Sequence, residues 1–216
     1  MPRPVLPLFA RIALLRIAAP VCVALLLAAC GHVPLTSMVK LRAFDLKTTD
    51  PEQLMVAVRH PDWIRIPQGG AVMVIEQRSA PEGPVVQRDE IVFERIEGAG
   101  EPAGLASERR SGTTLSVFAV APEDADRVRS VQRRLGARRS QGASRASGSL
   151  SVSVKGCRVG PVPEGPVPVS TFLAASEFDG VVALLRDFDL KAAMREAGAP
   201  VEDTIASCDA APVDGD

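Results

Sequence analysis

Few residues in this 216-residue chain are of types that do chemistry. His32 and His60 are its two imidazoles, and its four cysteines are Cys22, Cys30, Cys157 and Cys208. Nucleophilic catalysis needs a base held beside a hydroxyl or thiol. His60 lies just before Pro61, where a helix would have to end, and His32 sits in the short stretch "GHVP". No Gly-x-Ser-x-Gly elbow occurs. His60 therefore reads first as a helix-end or surface histidine. A tetrahedral zinc site needs four thiolate, imidazole or carboxylate ligands, and no Cys-x-x-Cys pair is present to begin one. Asp187 and Asp189 are two apart, so an extended chain would point both to one face. Paired carboxylates can serve glycoside hydrolysis or hold a cation. In the plainer reading Asp189 caps a following helix and Asp187 ends an apolar strand at solvent. No phosphate-cradling GxGxxG or P-loop pattern is present. These residues imply no metal and no cofactor.

The densest charge pattern lies on one expected helix. Glu123, Asp124 and Asp126 open it; Arg127, Arg129, Arg133, Arg134, Arg138 and Arg139 follow, with Arg145 beyond. Arg127, Arg133, Arg134, Arg138 and Arg139 are the candidates for gripping an anion, such as a lipid headgroup phosphate or an acidic partner. The simpler account is electrostatic, because acids at a helix N-terminus and arginines towards its C-terminus complement the helix dipole. The chain as a whole carries a net charge of −1, with one tryptophan, seven phenylalanines and no tyrosine. That balance gives no basic footprint and few stacking platforms for a nucleic acid.

The first 29 residues stand apart. They hold Arg3, Arg11 and Arg16, no acidic residue, and an apolar run from Ile17 to Ala29. A basic n-region before a short apolar h-region is the pattern of a secretory signal. Thirteen residues are fewer than the ~20 that span a bilayer comfortably. The run ends in Leu27-Ala28-Ala29-Cys30, which resembles the lipobox of bacterial lipoproteins. The resemblance implies cleavage between Ala29 and Cys30, acylation of the Cys30 thiol, and membrane attachment through N-terminal acyl chains. Gly31, rather than aspartate, follows the cysteine; by the same resemblance this implies sorting to the outer membrane, on its periplasmic side. An ordinary signal peptide and an uncleaved anchor are the alternatives. The stretch "GHVPLTSMVKLRAFDL" further resembles the start of uncharacterised alphaproteobacterial lipoproteins, which bring no activity with them.

If Cys22 leaves with the signal and Cys30 is acylated, Cys157 and Cys208 remain, an even pair in an oxidising compartment. A structural disulfide is favoured over a redox or metal pair. Loss of the three signal arginines lowers 25 basic residues to 22 against 26 acidic, a mild acidity that suits solubility.

The elements that must position these residues read as follows. Met38–Leu46 alternates as a strand. Asp50, Pro51 and Gln53 form a capping-box pattern that opens a short helix ending before His60. Ala71–Gln77 and Val85–Ile96 form a hairpin, a loop covers 97–112, and Thr113–Val120 is a strand. A helix from Pro122 to about Arg139 presents Ala125, Val128, Val131 and Leu135 on one face. A linker covers 140–148. Strands follow at Ser149–Val159, Val167–Ala175 and Val181–Arg186, the last two joined at Asp179-Gly180. Asp189 caps a final helix that stops at Gly198, and an acidic tail follows. Hairpin-joined strands imply an α+β fold, a mainly antiparallel sheet with two or three helices on one face. The similar openings "AFDLKTTDPEQL" and "VFAVAPEDADRV" are compatible with a duplicated β-α-β-β unit. The expected organisation is a signal over 1–29, a lipidated tether over 30–36, one domain over 37–198, and a tail over 199–216 tied back by the disulfide.

The reading favoured is a non-catalytic, membrane-anchored protein with a structural or interaction role in the outer envelope. The alternatives are a module binding an anionic envelope ligand or acidic partner through helix 122–139 and, last, an envelope hydrolase.

Overall fold

The computed structural model describes residues 34–80, 82–97, 100–140 and 147–209. Leu27 to Cys30, His32, Arg145 and the end of the acidic tail lie outside the described residues, as do the side chains of Arg138 and Arg139. The fold is α+β, built on a curled seven-stranded antiparallel sheet. In chain order the elements are α1 (Leu35–Leu41), β1 (Met55–Pro61), β2 (Ile64–Arg65), β3 (Ala71–Arg78), β4 (Val85–Ile96), β5 (Thr113–Val120), α2 (Ala125–Ser140), β6 (Ser147–Val154), β7 (Cys157–Arg158), β8 (Pro168–Ala174), β9 (Val181–Asp189), α3 (Leu190–Glu196) and α4 (Val201–Thr204). The sheet order is β6-β3-β4-β5-β1-β8-β9, and β2 and β7 form a separate two-stranded ribbon.

Strand alternation divides the core into two layers. Val56 and Val58 of β1, Ile91 and Phe93 of β4, Phe118 of β5 and Leu173 of β8 face one side, where Val128 and Val131 of α2 cover them. Leu41, Phe44 and Leu46 pack against the same layer. On the opposite side Ala57, Val117, Phe172 and Ala183 are covered by Leu105, which lies in a 3₁₀ turn over Leu105–Glu108.

Several expectations are corrected. Residues 38–46 are not a strand: α1 occupies Leu35–Leu41, with its start inside the expected tether, and turns follow. The helix expected from Pro51 is a three-residue 3₁₀ turn, Pro51–Gln53, and the chain then enters β1. The cap itself is real, since Asp50 accepts from the Glu52 N–H at 3.1 Å. What overrides it is burial: Val56 to Pro61 are buried without a break, in a strand flanked by β5 and β8. Among the described residues the first half therefore lacks the strand and helix that a duplicated β-α-β-β unit needs at 38–59. The strand expected over 149–159 is two pieces in different sheets, β6 and β7. The last strand continues past Arg186 to Asp189, through an irregular register against β8. The tail contains α4.

Candidate functional site

Two polar constellations form around β1, one on each face. The first centres on Arg59, only 5 % exposed in its side chain. A guanidinium this deep requires partners, and four groups supply them. Nη1 donates to the Glu108 backbone carbonyl at 2.7 Å and to Glu108 Oε2 at 3.2 Å. Nη2 donates to Ser170 Oγ at 2.9 Å and to Asp187 Oδ1 at 2.5 Å. Arg186 joins from β9, with its Nη1 and Nη2 each 2.8 Å from a different oxygen of Glu108. Both guanidinium carbons stand within 6 Å of the Phe172 ring centre, at 5.8 and 5.6 Å.

The backbone is bent to complete this cluster. Asp187 has φ +48°, the one positive φ among described non-glycine residues, and its N–H donates to Ser170 Oγ at 2.9 Å. Asp187 was expected to end a strand at solvent. It is 64 % exposed, but its carboxylate meets Arg59. Asp189 makes different contacts: its Oδ1 accepts from the N–H groups of Val167, Lys191 and Ala192, which caps α3. The two aspartates thus serve separate partners rather than one site. The Arg186 guanidinium, more than the opposing effect of burial, holds the Glu108 carboxyl below the usual carboxylate range. Two arginines balance two carboxylates, so the cluster has no surplus charge for an anion. Its chemistry is that of a fastener joining β1, β8, β9 and the Leu105–Glu108 turn.

The second constellation lies under an open groove of about 610 Å³, lined among others by His60, Trp63, Arg65, Arg95, Glu97 and Val159. His60 is not at a helix end; it is buried in β1. Its Nδ1 lies 3.0 Å from the Pro61 carbonyl and its Nε2 2.9 Å from Ser116 Oγ. A carbonyl only accepts, so Nδ1 carries the proton and Nε2 accepts from the Ser116 hydroxyl. Burial lowers the pKa of His60 and keeps it neutral. The bonds run in the sense of a serine–histidine pair. However, Ser116 is 1 % exposed, which leaves a substrate carbonyl no approach to its oxygen.

The groove wall is mixed. Trp63, Ile64 and Val159 supply apolar surface, while Arg65 and Arg95 face Asp62 and Glu97 in number. Arg95 Nη1 is tied to the Ile66 carbonyl at 3.1 Å.

The arginine helix forms as expected, but most of its described arginines have partners. Arg129 pairs with Glu52 and Asp126, at 2.7 and 3.1 Å. Arg134 meets Asp89 of β4 at 2.7 Å, and Arg127 stands 3.9 Å from Asp124. Arg133 is on the exposed face. The sequence reading missed Arg59 and Ser116, although an arginine directly after the apolar run Leu54-Met55-Val56-Ala57-Val58 was a signal that a buried charge needed partners.

Cys157 and Cys208 form a disulfide, with Cα atoms 4.9 Å apart. The bridge fastens the segment after α4 to β7, where Arg158 N–H donates to Ala206 and Cys208 N–H donates to Arg158, at 2.8 and 2.9 Å. Among the described residues no group of three or more histidine, cysteine or acidic side chains is placed to hold a metal ion, and no helix is long and apolar enough to cross a membrane. No protein-family model, no curated protein and no solved structure matches this chain.

Proposed function

We propose that this chain is an acyl-anchored protein of the bacterial outer envelope, attached through Cys30 on the periplasmic side of the outer membrane. Its body holds another envelope component rather than transforming one. The observation that carries the reading is the use of the cysteines. Cys157 and Cys208 are spent on a disulfide, and Cys22 falls within the apolar run of the signal-like segment. Cys30 is then the one cysteine of the mature chain left for acylation, and it stands where the lipobox resemblance requires. A disulfide also fits an exported protein.

The interaction role rests with the groove beside Trp63, because its mixed wall is accessible. The alternative surface, the arginine helix, has committed Arg129 and Arg134 to carboxylates of its own body. Growth with a clickable fatty-acid analogue tests the anchor: the wild type should be labelled and recovered with outer membranes, and Cys30→Ala should be neither. A photocrosslinking amino acid at Trp63 or Arg65 tests the groove. It should trap a neighbour that the same probe at Arg133 does not. Labelling of Cys30→Ala, or equal trapping from both surfaces, would overturn the respective half of the proposal.

A further inference from the structure

Helix α1 has one face packed inward and one face bare. Ser37 is buried, and Leu41, one turn on, packs against the main core. Between them Met38 is 54 % exposed and Val39 66 % exposed; these are the two most exposed large apolar side chains among the described residues. Lys40 and Arg42 are exposed as well. At 3.6 residues per turn, Met38, Val39 and Arg42 share the outward face and Lys40 flanks it. An apolar pair edged by cations is the pattern of a helix lying in a lipid interface, with apolar groups among the upper acyl chains and cations snorkelling to phosphate.

The position of α1 decides what would cover this face. Pro34, the residue before α1, is four residues from Cys30. Four residues reach at most roughly 14 Å when fully extended. A body anchored at Cys30 therefore cannot carry the N-terminal end of α1 far beyond the headgroup layer. No comparable constraint holds a protein partner at this face. The cations complement anionic headgroups, which attract basic side chains close to a membrane surface.

We infer that the outward face of α1, formed by Met38, Val39 and Arg42 with Lys40 beside it, docks on the lipid surface into which the Cys30 acyl chains insert. This inference rests on acylation at Cys30. Docking gives the body a fixed orientation, with the membrane on the α1 side.

The test uses the full acylated chain reconstituted into vesicles of phosphatidylethanolamine and phosphatidylglycerol, with some lipids brominated on the upper acyl chain. An environment-sensitive fluorescent amino acid is placed at Val39 or, as a control, at Val86, an exposed valine on the β3–β4 hairpin. The expected result is a blue shift and bromine quenching at position 39 and neither at position 86. With the probe at 39, Met38→Glu should reduce both signals while the protein stays with the vesicles. Acylated, vesicle-bound protein with no quenching at 39, or with equal quenching at 86, overturns docking and leaves the anchor standing. Protein that is folded but not acylated overturns the anchor, and the docking inference falls with it.

Discussion

Arg186 grips both carboxylate oxygens of Glu108 at 2.8 Å, across a sequence separation of 78. The same carboxylate meets Arg59, which β1 carries into the interior. One glutamate in a short 3₁₀ turn thus bridges two guanidinium groups that the sheet brings together beside Phe172, and Asp187 supplies the second balancing carboxylate.

Glu108→Gln should destabilise the body by about 3 kcal/mol. That is the lower end of the range for breaking a buried pair, because Arg59 keeps Ser170 and Asp187. The pH dependence has a definite sign. The folded carboxyl titrates below its ordinary value of 4.5, so its contribution is complete above that value and is lost as pH falls through the depressed folded one. Urea unfolding across the acid range should show the wild type losing more stability than Glu108→Gln. Parallel curves would mean that the cluster is not electrostatic in origin.

His60 should add a second acid sensitivity at higher pH. Its folded pKa lies below the ordinary 6.5 because burial disfavours the cation. The unfolded chain therefore binds the proton first, and stability falls as pH drops below about 6.5, levelling once the folded value is passed. His60→Gln should flatten the profile between pH 7 and 5, at the cost of some stability at neutral pH. Imidazole ¹⁵N shifts should report the Nδ1–H tautomer; a neutral Nε2–H tautomer would contradict the bond from Nδ1 to the Pro61 carbonyl.

Where sequence and structure agree, and where they part, follows from burial. β4 and α2 were legible because each has one covered side and one more open side, so the period shows. β5 is covered on both faces, by the Phe118 and Val117 layers, and was legible as a short β-branched run bounded by Gly112 and Pro122. Helix α2 reads from Ala125, Val128 and Val131 alone. β1 was misread because both its faces are covered, and a continuous apolar run has no period to separate strand from helix. The capping signal at Asp50 pointed to a helix, yet it serves only one turn before the β-branched Val56 and Val58 extend the chain. The Arg59 cluster draws on β1, the 105–108 turn, β8 and β9, four segments distant in sequence. No local pattern could join them. The Cys157–Cys208 pair was legible because few cysteines limit the choices.

The arginine helix should divide by contact. Arg133 is exposed, so Arg133→Gln should fall within about 0.5 kcal/mol of wild type. Arg134 pairs with Asp89, which also accepts from Gln87 and is mostly buried. Arg134→Gln should cost about 1.5 kcal/mol, the loss of one charge-assisted hydrogen bond. Thermal melts of the two variants compare them directly. Equal and negligible effects would return Arg134 to the pool of cations free for a ligand.

The disulfide should govern the C-terminal end more than the sheet. It closes a separation of 51 residues, for which the chain-entropy model gives roughly 4 kcal/mol as an upper guide. Its structural reach is local. It joins β7 to the strand-like end after α4, and the β7 residues Cys157 and Arg158 pair only with Arg65 and Ile64 and bridge to Ser207. Val201, fully buried, is held in place along with that segment. Cys157→Ser with Cys208→Ser should therefore lower the unfolding midpoint and raise amide exchange across residues 201–208 and 64–65. Exchange within β1, β5 and β8 should stay slow until global unfolding. Rapid exchange throughout the sheet at native temperature would show instead that the central strands cannot fold without the bridge.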